Sequence, residues 1–175
     1  MRLLFALAGA AVLFLAACGY PDPTAASGPV ATTEQTTPTP AAGSDDFNEG
    51  AGKTPVTYPD GMKVIDLRAG QGTLTVTNGS TVSVQYTGWL SSGQKFDSSR
   101  DRGQPFQFTV GGGRVIPGWD EGILGMKVGG RRKLIIPPAL GYGDQGQPPV
   151  IPAKATLYFT IEVLSITPPG ASPSP

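Results

Sequence analysis

The sequence predicts an α+β domain in which a curved antiparallel sheet of about five strands wraps around one short α-helix. Two observations carry this prediction. Segments 81–87 and 155–166 alternate apolar and polar residues with the period of two that is typical of half-buried strands. Helical spacing of apolar residues is clear only in segment 116–126. Several strands and a single helix bury their apolar surfaces together when the sheet folds over the helix.

The strand predictions depend on which side chains share a face. In both strong segments every second side chain is apolar, and these faces carry Val82, Val84 and Tyr86 in the first segment and Leu157, Phe159, Ile161 and Val163 in the second. Shorter strand candidates are 62–68, 95–98, 106–110 and 131–136, and polar turns at 78–79 and 91–93 separate neighbouring segments. Their spacing favours a mostly antiparallel sheet.

The predicted helix lies in a region that is rich in glycine, a poor helix former: segment 111–129 contains seven glycines in nineteen residues. The apolar residues at helical spacing are Ile116, Trp119, Ile123 and Met126. Pro117 suits a first helical turn, where its missing N–H costs nothing, and two acidic residues that follow complement the helix dipole. Glycines are tolerable when tertiary packing holds the helix, and they let a sheet approach it closely.

The first residues have the features of a secretory signal peptide. Segment 1–17 starts with one basic residue, continues with an apolar run that is short for a membrane span, and ends in small residues. It is followed by Cys18, and the residues around the junction resemble the bacterial lipobox, in which signal cleavage leaves a lipid-modified cysteine at the new N-terminus. We expect a lipid anchor at Cys18 on the outer side of a bacterial cell membrane. The alternative is an ordinary secreted protein with a stray thiol.

Segment 18–57 predicts a disordered tether, because it is rich in Pro, Thr, Ala, Gly and Ser and contains few large apolar groups. Segment 168–175 predicts a similar loose tail. Segment 58–167 remains as one domain, which is long enough for a single core. Its eleven basic and eight acidic residues leave a net charge of +3, which is too small and too scattered to indicate nucleic-acid binding.

The composition excludes several kinds of chemistry. The chain has no histidine and a single cysteine, so nucleophilic systems with an imidazole base and zinc sites are not expected. Ser92 and Lys95 fit an S-x-x-K motif whose companion signatures are missing. Gly113 and Gly118 have P-loop spacing, but Trp119 stands where the phosphate-binding lysine belongs. We therefore expect neither a metal nor a cofactor.

Three long stretches resemble the FKBP-type peptidyl-prolyl cis-trans isomerases, the receptors of the macrolides tacrolimus and rapamycin. They are VQYTGWLSSGQKFDSSRDRGQPFQF (84–108), VIPGWDEGILGMKVGGRRKL (115–134) and GYGDQGQPPVIPAKATLYFTIEVL (141–164). The similarity extends through nearly all of 62–166. It implies a curved antiparallel sheet around one short helix, with an apolar groove between them that binds proline.

The resemblance implies the following apolar site. Trp119 would form the floor of the proline pocket, and its walls would be Tyr86, Phe106, Val115, Ile116 and Phe159, with Phe96 beside them. The residues considered alone favour plain core positions for Phe96, Phe108 and Leu157, and also for Tyr86, Phe159 and Trp119. The resemblance reverses that preference for Trp119 and Phe159.

The resemblance also implies polar groups at the groove. Tyr142 would offer a hydroxyl to the ligand, and the backbone N–H of Ile116 would be a second donor. Asp97 would lie at the groove edge, with Arg102 either pairing with it or orienting Tyr86. The loop that overhangs the site would carry Val150 and Ile151, while Gln147 and Arg114 depart from the residues that are common in the family.

These features predict a membrane-tethered, monomeric isomerase that assists the folding of exported proteins outside the cytoplasm. Rotation about an X–Pro bond makes and breaks no covalent bond, so a site of aromatic residues and one carboxylate suits it without histidine. Expected partners are proline-containing polypeptides, tacrolimus- or rapamycin-type macrolides and the membrane. The alternative is a module that binds proline motifs, or a holdase chaperone, with little catalytic role.

Overall fold

A curved antiparallel sheet frames the computed structural model, which describes residues 46–171. The predicted signal peptide, Cys18 and the beginning of the predicted tether lie outside these residues, as do residues 172–175. The nine strands are β1 (Val56–Thr57), β2 (Lys63–Arg68), β3 (Gln71–Thr75), β4 (Thr81–Leu90), β5 (Lys95–Ser98), β6 (Phe106–Thr109), β7 (Lys127–Val128), β8 (Arg131–Ile136) and β9 (Leu157–Thr167). The helices are α1 (Pro117–Gly122) and a 3₁₀ turn at Pro138–Leu140.

The main sheet contains seven strands in the order β1-β2-β8-β9-β4-β5, with β6 beside β5 on the same edge of β4. Strands β4 and β9 form its centre and pair from Thr81 with Thr167 to Leu90 with Leu157. Their register shifts where Ser83 pairs with Ser165 but the next residue pairs with Val163, and such bulges increase the local bend and twist of a strand. Strands β3 and β7 form a separate two-stranded ribbon.

The fold class that the sequence predicts is confirmed, with more strands than the five expected. Segments 95–98 and 131–136 are strands with the predicted bounds, and segment 81–87 continues as a strand to Leu90. Strands β1, β3 and β7 were not predicted. All five residues of β3 are exposed, so this strand has no alternation of apolar and polar side chains that could reveal it.

Helix α1 is shorter than the predicted segment 116–126. It begins at Pro117, directly after Ile116 in an extended conformation, and ends at Gly122. Gly125 then adopts a positive φ of 75°. Its N–H donates to the carbonyl of Val76, directly after β3, instead of to a carbonyl of the helix. The apolar residues continue at helical spacing beyond the end of the helix, because Met126 is buried in the core although it lies outside α1.

Two helix glycines allow the close approach to the sheet that the sequence predicts. A Cβ atom on Gly118 would lie 2.6 Å from Ile136, and one on Gly122 would lie 2.5 Å from Leu134. Both distances are shorter than carbon atoms tolerate. Side chains at these positions would push α1 away from β8, so the cost in helix propensity is offset by packing.

The core lies between α1 and the face of the sheet that we call the inner face. Side chains from the central strands and the helix are fully buried there, including Val82, Val84, Ile123, Leu134 and Ile161. Each such side chain stabilises the fold by ~1.5–3 kcal/mol relative to an exposed one. The opposite, outer face carries alternating polar and charged residues of the same strands, among them the buried Glu162.

The predicted end of the tether at residue 57 is wrong. Strand β1 pairs with β2, and Phe47 packs against the ring of Tyr158 on the outer face, with 5.2 Å between ring centroids. The ordered part of the chain therefore begins no later than Asp46. The composition of this stretch concealed its order, because the side chains that hold it to the sheet are one aromatic residue and a few charged residues.

Candidate functional site

A pocket of about 140 Å³ opens between α1 and the inner face of the sheet. This volume lies below the ~300–1,000 Å³ of sites for drug-sized ligands, so the pocket suits one small ring or side chain. The residues that line it come from strands β4, β5, β6 and β9, from α1 and from two loops: Tyr86, Phe96, Asp97, Phe106, Arg114, Val115, Ile116, Trp119, Tyr142 and Phe159.

Trp119 forms the floor of the pocket and is also part of the core. Its side chain is 4% exposed and makes edge-to-face contacts with Tyr86 at 4.9 Å and Phe159 at 5.2 Å. Below it, Phe108 lies at 5.6 Å. Its backbone N–H donates to the carbonyl of Ile116 over 2.9 Å, which places the indole in the first turn of α1. Trp119 therefore occupies both the pocket position that the resemblance implies and the core position that its spacing alone favours.

The aromatic wall depends on a glycine. Phe96 and Phe159 pack edge to face with 5.5 Å between their centroids, and both rings cover Gly88 of β4. A Cβ atom on Gly88 would lie 2.6 Å from Phe159 and 2.8 Å from Phe96. Phe96 is half-buried and lines the pocket, as the resemblance implied, whereas Phe108 is a core residue.

A hydrogen-bonded triad of Tyr86, Asp97 and Arg102 borders the pocket. The Tyr86 hydroxyl donates to Asp97 Oδ2 over 2.5 Å, and Arg102 Nη2 donates to the Tyr86 hydroxyl over 2.6 Å. Arg102 Nη1 also donates to Asp97 Oδ1, and its guanidinium lies 5.4 Å from the centre of the Tyr86 ring. Both alternatives raised for Arg102 are therefore present, because it pairs with Asp97 and also holds Tyr86.

Burial, followed by the hydrogen bond to Asp97, raises the pKa of Tyr86 to about 12. The phenol therefore stays protonated at physiological pH and acts as a donor to the carboxylate. The hydrogen bonds that Arg102 makes with Tyr86 and Asp97 raise the pKa of its guanidinium, which therefore stays a cation. The triad thus places the Asp97 carboxylate at the pocket edge, with its charge balanced by Arg102.

The donors at the pocket that have no partner among residues 46–171 include the buried indole N–H of Trp119 and two further neutral groups. One is the Tyr142 hydroxyl, whose side chain is 37% exposed, and the other is the backbone N–H of Ile116, just before α1. Burial, with a smaller contribution from the Asp97 charge, raises the pKa of Tyr142 and keeps its phenol protonated. Both groups are available to hydrogen-bond a ligand, as the sequence resemblance implied.

The loop before the helix is held in place by an acidic side chain. Asp120 Oδ1 accepts a hydrogen bond of 2.8 Å from the backbone N–H of Gly111. This bond ties the start of the loop to the helix and so positions Val115 and Ile116 at the pocket wall. The role expected for Asp120 was only to complement the helix dipole.

Three of the predicted site residues, Arg102, Val150 and Ile151, do not line the pocket, although Arg102 is hydrogen-bonded to the lining residues Tyr86 and Asp97. Ile151 is 3% exposed and belongs to the core, because its backbone pairs with Gln147 in an isolated bridge. Val150 is 50% exposed and is not among the residues that line the pocket. Arg114 lines the pocket although it was noted only as a departure from the family; its place directly before Val115 and Ile116 was the available signal.

The assembled site is apolar, with hydrogen-bond donors at its rim. It can hold a small ring against Trp119 and offer donors to neighbouring carbonyl groups. Within residues 46–171, no group of three or more acidic, histidine or cysteine side chains has the arrangement of a metal site.

The sequence is similar to known proteins over the segment that forms this site. Residues 72–164 match the family model described as FKBP-type peptidyl-prolyl cis-trans isomerase. FK506-binding protein 1A of Neurospora crassa is 51% identical over 107 residues, which cover 61% of this chain and 89% of that protein. FK506-binding protein of Neisseria meningitidis serogroup B is 53% identical over 106 residues, covering 61% of this chain and 96% of that protein.

Solved structures have the same fold. FkpA from Escherichia coli matches with a TM-score of 0.62 and 41% identity, over 68% of this chain and 54% of that one. AtFKBP13 matches with a TM-score of 0.61 and 37% identity, over 65% of this chain and 99% of that one. The family match over residues 72–164 thus covers strands β4–β8, most of β3 and β9, helix α1 and every residue that lines the pocket.

Proposed function

Because the chain belongs to the FKBP-type peptidyl-prolyl cis-trans isomerase family, we propose that its aromatic pocket binds the proline ring of a polypeptide and stabilises the twisted X–Pro amide. The observation that supports this mechanism is a small aromatic pocket beside which the Tyr142 hydroxyl and the Ile116 N–H are free to donate hydrogen bonds. The pocket has the size for one ring, and we propose that these donors bind the carbonyl groups that flank it.

The barrier to X–Pro rotation is ~18–20 kcal/mol, because amide resonance is lost when the bond twists. The planar amide is more charge-separated than the twisted one, so water stabilises the ground state preferentially. Trp119, Phe159 and Phe106 surround the pocket with apolar surface and exclude water from the amide. The barrier falls because the twisted form loses less solvation than the planar form.

Fixed donors add to this effect. The N–H of Ile116 and the hydroxyl of Tyr142 hold the peptide carbonyls that flank the proline, and they need no reorganisation as the amide twists. Asp97 is already paired with Tyr86 and Arg102, so its charge is partly compensated before a substrate arrives. We propose that Asp97 acts through its field and position, since no proton transfer is needed.

The decisive test is the isomerisation of a chromogenic X–Pro peptide. Wild-type protein should exceed the uncatalysed rate, and Phe159→Ala should lower kcat/KM by about tenfold or more, which corresponds to about 1.4 kcal/mol of transition-state stabilisation. Asp97→Leu should also lower it. Leu74→Ala, at a position 49% exposed and outside the pocket, is the matched control. Folded wild-type protein with no activity above the uncatalysed rate would refute the mechanism.

The same pocket is proposed to bind tacrolimus- or rapamycin-type macrolides, because the similar proteins of Neurospora and Neisseria are named FK506-binding proteins. A macrolide should inhibit isomerisation competitively with the peptide. Variants that keep peptide or macrolide binding but lose isomerisation would instead favour the binding or holdase role over catalysis.

We further propose that the isomerase works outside the cytoplasm on exported proteins, held to a membrane by lipid on Cys18. The support is the signal-peptide pattern of residues 1–17 and the lipobox-like residues that end at this cysteine. In residues 46–171, no helix has the length and hydrophobicity required to cross a bilayer. Cys18→Ser should move the protein from the membrane fraction to the soluble fraction, whereas Ser27→Ala should not. Membrane retention of Cys18→Ser would contradict the anchor.

A further inference from the structure

We propose that the outer face of the sheet carries a second binding site, which recognises a short aromatic–acidic peptide and is occupied by the chain's own residues 46–53. We call these residues the clamp segment. The outer site consists of two aromatic side chains, Trp89 and Tyr158, and two cations, Arg131 and Lys133. This inference is independent of the proposed isomerase function.

The aromatic part of the site holds Phe47. Its ring lies 6.3 Å from Trp89 in an edge-to-face arrangement and 5.2 Å from Tyr158. Lys133 Nζ lies 5.1 Å from the centre of the Phe47 ring and 5.9 Å from that of Tyr158, so it also makes cation–π contacts. Gly93 completes the site, because a Cβ there would lie 3.5 Å from Phe47.

The cationic part of the site holds Glu49. Arg131 is 3% exposed, and its Nη2 and Nε donate to Glu49 Oε2 over 2.6 Å and 3.0 Å. Lys133 is 6% exposed and donates to the carbonyls of Phe47 and Glu49. Buried cations are costly unless they are paired and hydrogen-bonded. The clamp segment supplies the carbonyl partners of Lys133 and one carboxylate partner of Arg131, which is also paired with Glu162.

Burial lowers the pKa of Lys133, while the carboxylates of Asp46 and Glu49 oppose this change. Two residues of the clamp segment thus favour the charged form of Lys133. The negative charges of the clamp segment are therefore complementary to the positive charge of Lys133 in the outer site.

The end of the clamp segment is fastened separately. Lys53 Nζ donates to the carbonyls of Asp66 and Leu67 over 3.0 Å and 2.9 Å. Gly50 has a φ of 84° and approaches β2 so closely that a Cβ would lie 2.7 Å from Leu67. A Phe-x-Glu sequence followed by a glycine turn and a lysine is therefore the chemistry that this face recognises.

The outer site lies on the face opposite the pocket. Tyr158 and Phe159 are adjacent residues of β9, and successive side chains of a strand point to opposite faces. Phe47 contacts the first, and Trp119 contacts the second. The clamp segment therefore lies on the side of the sheet away from the pocket.

The test uses the full-length protein with Phe47→Ala and Glu49→Gln, separately and together. Phe47→Ala should lower Tm by about 5–10 °C and Glu49→Gln by less. Hydrogen exchange of the clamp-segment amides should become faster, while that of β4 and β9 should not. Leu74→Ala should change neither quantity. Isomerisation of a short peptide below Tm should stay within about twofold of wild type.

A synthetic peptide of residues 46–53 provides the second arm of the test. It should raise the Tm of the double variant in a dose-dependent way but leave wild type unchanged, because the site is already filled there. The same peptide with Ala in place of Phe should have no effect. Wild-type Tm and unchanged clamp-segment exchange in the double variant would overturn the proposal. So would a double variant that is destabilised but that the peptide does not stabilise at millimolar concentration.

Discussion

The two faces of strands β4 and β9 differ in the groups that they hold: hydrogen-bond donors are left free beside the inner face, whereas a buried carboxylate on the outer face is paired with cations. The inner face carries the pocket, where aromatic rings leave an opening of about 140 Å³ and the donors of Tyr142 and Ile116 have no partner within residues 46–171. The outer face carries Glu162, which is 2% exposed and accepts ion pairs of 2.6 Å from both Arg68 and Arg100. Function uses groups that are left unpaired, whereas stability requires every buried charge to be paired.

This contrast teaches that a single alternating strand can serve both purposes. Because side chains alternate across β9, Phe159 reaches the pocket while Thr160 and Glu162 face outward. A substitution should therefore affect activity or stability according to the face it lies on. The following predictions test that division, from the largest expected effect to the smallest.

The largest effect is expected on the outer face, from Glu162→Gln. This change removes the charge that pairs with Arg68, Arg100 and Arg131, and breaking a buried ion pair costs about 3–5 kcal/mol. Denaturant unfolding should show this loss, while kcat/KM of the folded protein should change little. Asp66→Asn is the matched control: its side chain is 66% exposed, so losing its pair with Arg132 should cost under about 1 kcal/mol. Equal losses in the two variants would contradict the division.

On the inner face, Gly88→Ala should damage the pocket more than the fold. The new methyl group would displace Phe96 and Phe159, and overpacking costs about 1–3 kcal/mol. We expect kcat/KM to fall by roughly tenfold, because the two rings form the pocket wall. The measurement pairs isomerisation kinetics with urea unfolding. Unimpaired kinetics together with normal macrolide binding would show that the rings do not require the glycine.

A smaller effect is expected from the Tyr86 hydroxyl, and it depends on pH. The folded-state pKa is raised to about 12, so this group stabilises the fold fully below the unfolded pKa near 10. Its contribution is lost as pH rises from about 10 through 12, since the unfolded chain releases the proton first. Tyr86→Phe should therefore show a shallower loss of stability across this window. Tyr58→Phe, at an exposed position, should keep the wild-type slope.

The smallest effect is expected at Arg114, an exposed cation that lines the pocket and has no ion pair among residues 46–171. Exposed charge pairs contribute about 0.2–1 kcal/mol, so substrates with Glu before the proline should gain at most about fivefold over those with Lys. Arg114→Gln should remove this preference and Arg114→Glu should reverse it, with Leu–Pro peptides unchanged. Lys63→Gln, on β2 and outside the pocket, is the control. A preference that survives both Arg114 variants would rule out this role.

Predictions from sequence were most accurate where a local pattern repeats. Strands 95–98 and 131–136 have the predicted bounds because alternation follows directly from strand geometry. Nine of the predicted pocket residues line the pocket because they lie within long motifs shared with a known family. Prediction failed for Ile151, whose side chain is turned into the core by the bridge to Gln147, a pairing that no local pattern encodes.

The sequence by itself determined that this protein has a mostly antiparallel sheet, one short glycine-rich helix and an aromatic site that needs no histidine. The sheet and the helix follow from side-chain period, whereas the aromatic site follows from the resemblance of three long motifs to a known family. Tertiary structure alone decided that α1 ends at Gly122, that Phe47 and Glu49 close the outer face, and that Glu162 is the centre of an ion-pair cluster. The physical reason is distance along the chain: Glu49 and Arg131 are 82 residues apart, and only the register of folded strands brings them into contact.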